Sequence, residues 1–326
     1  MAGKYQTKIT EMLGIEYPIL CGGMQWVSRA EFVSTVCNAG GLGFITAESL
    51  EKPEDLKEEI KKMRDLTDKP FGINLSMLPE FGLPERTMRF CEIICEEGIK
   101  VVETAGISPA PLMPHFKQAG VKVIHKMTSI RHAESAERLG VDAITLIGYG
   151  SGGHVGMDNV ASFILIPLAL KRLHVPVIVG GGVASGAGFL AALSMGAEAV
   201  LLGTAFFATE ESPIHPAIKE KVINSSEKDT AILMRSIKNP LRVVKNRLSD
   251  ECLALEEKGA TLEELINKLA GGKGKLAYDS GDTEISPIAS GQVVGLIDEV
   301  KTVKQVIDDM ISEADELMSR LTAITA

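Results

Sequence analysis

Eight short β-rich runs recur along the first two thirds of the chain, with helical patterns between them. They cover residues 18–21, 41–46, 71–75, 101–104, 121–125, 143–147, 177–179 and 199–202. Their starts lie roughly 20 to 35 residues apart, the length of one βα unit. Helical spacing of apolar residues fills the gaps, for example at 53–64, 131–139 and 187–195. The runs are nearly continuous in apolar residues, as a parallel sheet covered on both faces requires. Eight such units predict an α/β fold, a closed (β/α)8 barrel over residues 1–210, with a doubly wound sheet as the rival.

The length of 326 residues accommodates a barrel of about 250 residues plus an appendage. With 34 basic and 43 acidic residues the formal net charge is -9, which argues against a nucleic-acid partner. Backbone amides can still hold a small anion. The first residues show no apolar segment behind a basic start, so no signal peptide is expected. Residues 175–197 are uncharged, but Pro176 and Gly180-Gly181-Gly182 divide them into a strand, a turn and a helix rather than a membrane span. Cysteines 21, 37, 91, 95 and 252 are scattered and odd in number. They read as reduced thiols of a cytoplasmic protein; Cys91 and Cys95 lack the second ligand pair that zinc needs, and no metal site is expected.

Beyond Thr209 the texture changes. Residues 211–270 read as mostly helical, with a capping box at Thr261 and Glu264, and 211–296 as a lid or substrate domain. Gly271-Gly272-Lys273-Gly274-Lys275 lacks the Ser/Thr and the preceding strand of a Walker loop, so a flexible turn is expected there. Residues 297–326 form a helix whose apolar face (Val300, Val303, Ile307, Met310, Ala314, Leu317 and Leu321) packs on the body.

Barrels of this kind carry their chemistry at the carboxyl ends of the strands. Those ends hold Gly22-Gly23-Met24, Asn74 and Ser76, Glu103 and Thr104, Lys126, a glycine-rich loop around His154, Gly180-Gly181-Gly182, and Gly203-Thr204. The last two form a phosphate-binding pair, since free amides at a helix start need no basic residue. Gly148 to Gly153 matches G-x-G-x-x-G, but no acidic residue follows at the Rossmann distance. It reads instead as a loop that passes a planar ring and projects His154, the candidate catalytic residue. No Ser-His-Asp set, His-Glu-x-x-His motif or paired carboxylates can be placed, which points to cofactor chemistry.

The motifs Cys21-Gly-Gly-Met-Gln-Trp-Val27, Asn38-Ala-Gly-Gly-Leu42, Pro70-Phe-Gly-Ile-Asn74 and Gly152-Gly-His154-x-Gly156 resemble the nitronate monooxygenase-like flavin barrels. That family also includes flavin enoyl-acyl-carrier-protein reductases. The segments 101–106, 123–126, 213–215, 234–239, 281–283 and 295–298 resemble most its bacterial NADH:quinone reductases. The resemblance implies noncovalent FMN, with NAD(P)H as co-substrate. It places Gly22, Gly23 and Met24 along the ring, with Asn74 and Lys126 against the cofactor. Gly152 and Gly153 border the ring; Gly180, Gly181, Gly182, Gly203 and Thr204 hold the phosphate. His154 takes the place of the catalytic histidine. The quinone-reductase pattern carries acidic residues where Ile147, Gly150 and Met157 stand here, Pro at Val155 and Ser at Gly180. The expected function is transfer of hydride from NADH to FMN and of two electrons to a quinone. The alternatives are nitronate monooxygenase, enoyl-thioester reductase and a non-enzymatic flavin store. A cytoplasmic monomer or homodimer acting on a small molecule, with no membrane partner, is expected.

Overall fold

A computed structural model describes residues 4–77, 84–269 and 273–325 of the chain. All eight expected runs form strands: β1 (Ile19–Cys21), β2 (Leu42–Thr46), β3 (Gly72–Met77), β4 (Val101–Gly106), β5 (Lys122–Met127) and β6 (Ala143–Ile147) come first. A two-residue strand, β7 (Gly153–His154), intervenes before β8 (Val177–Gly180) and β9 (Ala199–Leu202). The eight long runs close into a barrel in the order β1-β2-β3-β4-β5-β6-β8-β9. The helices between them follow from local chemistry. In Ile130–Leu139, Ser129 caps the start by accepting from the His132 N–H, and Gly140 ends it in the left-handed conformation. In Asp55–Leu66, Leu56, Ile60 and Met63 make the buried face. The uncharged stretch at 175–197 is β8 followed by the helix Gly186–Ser194. Among the described residues no helix is long and apolar enough to cross a membrane.

The chain divides into two compact units. Unit 1 comprises Met1–Leu146, Ile164–Val179 and Ala191–Leu201, and so carries most of the barrel. Its strands are buried on both faces, and Phe32, Phe44, Phe90 and Phe116 are the largest of its fully buried side chains. All five cysteines are free thiols. Burial pushes the Cys37 thiol up to about 12, far from a reactive thiolate.

Unit 2 comprises Ile147–Phe163, Gly180–Leu190 and Leu202–Ala326. Helices predominate in residues 211–296, as expected, and the structure adds a small sheet that the sequence did not predict. Strands β10 (Thr230–Leu233) and β11 (Leu241–Val244) pair antiparallel, and β11 also pairs with β7. These strands are too short for a clear two-residue period, and β7 lies far away in sequence. Leu233, Val243, Leu248, Cys252 and Leu265 pack into a core between this sheet and its helices. The capping box is present: Glu264 accepts from Thr261 N at 2.7 Å, and Glu264 N donates to Thr261 Oγ1 at 3.3 Å. Gly271 and Gly272 of the expected turn lie outside the described residues; Lys273, Gly274 and Lys275 begin the helix Lys273–Ser280. The last helix begins at Val303 rather than at 297 and runs to Thr325; of the expected apolar face it buries Val303, Ile307, Met310 and Ala314, while Leu321 is exposed. Gly186 lets it approach closely, since a Cβ there would lie 2.4 Å from the Met310 carbonyl oxygen.

Candidate active site

In unit 1, strand register decides which polar side chains meet. Asn74 lies opposite Glu103, and Ala105 opposite Lys126. With side chains alternating along each strand, Asn74, Ser76, Glu103 and Lys126 share one face of the barrel wall. Thr104 and His125 share the other, where Thr104 Oγ1 and His125 Nδ1 are 2.8 Å apart. Burial lowers the His125 imidazole to about 4, which makes it a neutral core residue.

Glu103 is fully buried and organises the first face. Its Oε2 accepts from Asn74 Nδ2 at 2.6 Å, Lys126 Nζ at 2.8 Å and Gly23 N at 3.3 Å. Its Oε1 is buried with no hydrogen-bond partner among the described residues. Ser76 Oγ extends the row by donating to Asn74 Oδ1 at 3.1 Å. The Lys126 ammonium is therefore already paired with a carboxylate. Gly23 has to be glycine, because a Cβ there would lie 2.4 Å from Asn74 Cγ. Gly22 packs on Leu201, and Met24 is pinned by its N–H to Ser28 Oγ at 3.0 Å. The sequence places Glu103 at a strand end without marking it as a site residue; a carboxylate inside an apolar strand is its only signal.

In unit 2 the turn after β8 is held from behind. Ser162 Oγ donates to the Gly180 and Gly181 carbonyls at 3.3 and 2.5 Å, and Gly148 N donates to Gly180 O at 2.9 Å. Gly181 and Gly182 both take positive φ, +83° and +88°. Their surroundings differ. A Cβ at Gly181 would lie 2.6 Å from Ser151 Cβ, whereas one at Gly182 would meet only Ser162 Oγ, at 3.9 Å. A Cβ at Gly203 would meet nothing within 4 Å. Gly182 and Gly203 thus face open space, which leaves room for a bound group. Thr204 has a second duty, accepting at Oγ1 from Gly291 N at 2.9 Å. Gly152 is used by the protein itself, since a Cβ there would lie 2.6 Å from the Ser290 carbonyl carbon.

His154 is not on a free loop. It belongs to β7, opposite Leu241, with Val155 N donating to Pro240 O at 3.2 Å. Its side chain is exposed at one edge, yet neighbouring atoms crowd the ring enough to hold the imidazolium below its ordinary 6.5. Hydrogen bonding to the Pro240 and Asn239 carbonyls opposes that shift. Tyr149, which opens the loop, is held by Arg242: Nη2 donates to Tyr149 O at 3.0 Å, and the guanidinium lies 4.7 Å from the ring centroid.

The lid motifs turn out to be scaffold. Met234 and Lys238 take positive φ, and Glu256 accepts from the N–H groups of Met234 and Ser236 at 2.5 and 3.0 Å. Gly281 makes room for His215, whose Nδ1 would lie 2.2 Å from a Cβ there.

A family model described as nitronate monooxygenase matches residues 6–313. The chain belongs to the nitronate monooxygenase family. It is accordingly an FMN-dependent oxidoreductase. Proteins similar to this chain carry different names. A Mycobacterium tuberculosis relative, a (3aS,4S,5R,7aS)-5-hydroxy-7a-methyl-1-oxo-octahydro-1H-indene-4-carboxyl-CoA dehydrogenase, is 30% identical, over 95% of this chain and 96% of its own. A probable nitronate monooxygenase of Staphylococcus saprophyticus is 27% identical, over 97% of this chain and all of its own (100%). The structure of FabK from Thermotoga maritima is 36% identical, covers 98% of this chain and 99% of its own, and superposes with a TM-score of 0.90.

Proposed function

We propose that the enzyme is an FMN-dependent oxidoreductase of acyl-thioester substrates, reducing a carbon–carbon double bond conjugated to the thioester at the expense of NAD(P)H. The observation that carries this reading is the full-length likeness to FabK, an enoyl reductase, at 36% identity. The carboxyl-CoA dehydrogenase relative supports it. So does the histidine loop, where Ile147, Gly150 and Met157 stand in place of carboxylates. A substrate carried on an anionic thioester carrier then meets less repulsion. Of the six segments on which the NADH:quinone reductase reading rests, 234–239 and 281–283 hold a turn and a histidine ring in place.

When bound, FMN supplies hydride transfer. We assign its ring to Gly22, Gly23, Met24, Asn74 and Lys126, with Gly152 and Gly153 beside it. Its phosphate falls to the amides at Gly180, Gly181, Gly182, Gly203 and Thr204. His154, neutral at pH 7, orients a carbonyl oxygen or accepts a proton. Five free thiols support a reducing, cytoplasmic compartment; the assembly is assigned as monomer or homodimer. The test is kcat/KM for crotonyl-CoA, a benzoquinone and a propyl nitronate with oxygen, measured on one preparation with NADH or NADPH where needed. The thioester is expected to win, and a higher value for either rival would replace the reading.

A further inference from the structure

Glu48 follows β2 at the carboxyl end of the barrel, in the short 3-10 turn Ala47–Ser49. Nothing in the sequence singles it out, since it sits among ordinary loop residues. In the structure it terminates the polar row of unit 1. The backbone N–H groups of Ser76 and of Glu48 itself point at its carboxyl. Ser76 then donates to Asn74, Asn74 to Glu103, and Lys126 to Glu103. Glu48 thus lies next to the Ser76 end of a hydrogen-bonded row that runs on through Asn74 and Glu103 to Lys126. Glu48 Oε2 is buried and has no hydrogen-bond partner among the described residues.

Two carboxyl groups therefore stand at one end of the barrel with opposite provisions. Glu103 has an ammonium at 2.8 Å and two further donors on one oxygen, the environment of a carboxylate. Glu48 has no salt bridge among the described residues. The cations that face it are Arg86, from the helix Glu85–Glu96, and Lys126, from β5. Both are engaged elsewhere: Arg86 donates to the carbonyls of Leu50 and Glu51, and Lys126 to Glu103. A buried carboxylate oxygen with no donor is costly, and a proton on it removes most of the cost.

We propose that Glu48 is the acid that delivers the proton to the acceptor in this enzyme's reductive reaction, a role separate from that of His154. It rests on the reading of the enzyme as a two-electron reductase. Saturating a conjugated double bond adds one hydride and one proton. The hydride brings both electrons; the proton leaves Glu48 as its O–H bond breaks, a C–H bond forms on the substrate, and the carboxylate regains a proton from water. Burial supports the assignment by raising the Glu48 carboxyl to about 7, so it holds a proton that can be given up at neutral pH. His154, held below 6.5, is mostly without one.

The test uses the FMN-loaded enzyme and its Glu48→Gln variant, which keeps the size of the side chain. Carbon-13 NMR of glutamate-labelled protein should show one carboxyl titrating near pH 7 that vanishes in the variant. If no resonance is lost in that range, the proposal falls whatever the substrate. In stopped-flow, reduction of the flavin by NAD(P)H should be unchanged within about threefold, while its reoxidation by crotonyl-CoA should slow by about 10²–10⁴. Glu48→Asp should recover part of that rate. If crotonyl-CoA is not reduced by the parent enzyme, the thioester reading fails. The same comparison then runs on a benzoquinone, whose reduction also takes up protons. Equal reoxidation rates in parent and variant, with whichever acceptor is used, would overturn the role of Glu48.

Discussion

Replacing Lys126 by Met is the sharpest test of the polar row, because it leaves the buried Glu103 carboxylate without its only nearby cation among the described residues. Glu103 is fully buried and the Lys126 side chain is 19% exposed, so solvent screens the pair little. Removing one partner of a buried ion pair costs about 3–5 kcal/mol. Met restores some of the apolar contact of the lysine stem, about 1 kcal/mol. The Asn74 and Gly23 donors at 2.6 and 3.3 Å remain on Oε2. The net expectation is a loss of about 3 kcal/mol. Glu103→Gln leaves the ammonium an amide oxygen and a route toward solvent, so about 1–2 kcal/mol is lost. The double variant removes both charges and should cost about 2 kcal/mol, less than the sum of the two. Urea unfolding at pH 7 on flavin-free protein measures all three, so that cofactor loss does not enter. Additive single effects, or a Lys126→Met loss under about 1 kcal/mol, would refute the pairing as a source of stability.

The Glu48 carboxyl rises from its ordinary 4.5 to about 7 on folding, so the folded state binds this proton more tightly than the unfolded state. Its stabilisation is full below pH 4.5 and lost as pH rises through 7. Glu48→Gln should match the parent at pH 4.5 and exceed it by about 2–3 kcal/mol at pH 8.5 in urea unfolding. At Gly182, φ of +88° and an open cradle predict that Gly182→Ala strains the backbone by only about 1–2 kcal/mol yet expels FMN, read from the flavin absorbance of the purified protein. Proton NMR of His154 should give a titration midpoint below 6.5, and a midpoint above it would contradict the crowding of the ring.

Much of the barrel was legible because its signals are local. A strand buried on both faces must be apolar throughout, and a helix beside it must show its apolar stripe and caps, as at Ser129 and Gly140. The lid sheet was not legible. Strand β7 has two residues and finds its partner Leu241 only after the chain has passed through several other elements. At the site, glycine positions could be seen but not their purposes. Gly182 and Gly203 face open space, whereas Gly23, Gly152 and Gly181 are filled by Asn74, Ser290 and Ser151. A glycine reads the same in sequence whether a ligand or another side chain takes the place of its Cβ.

The sequence by itself determined the order of the βα units, the helix caps and the residue types at the strand ends, since each depends on neighbours within a turn or a pleat. Tertiary structure alone decided what those residues are. Parallel register placed Asn74 beside Glu103 and Lys126 beside Ala105. Burial then gave two glutamates of identical chemistry different surroundings: Glu103 shares an oxygen with an ammonium, and Glu48 has none and its carboxyl is pushed up to about 7. Charge and desolvation act through space over a few ångströms, and only the closed barrel brings residues so far apart in the chain within that range.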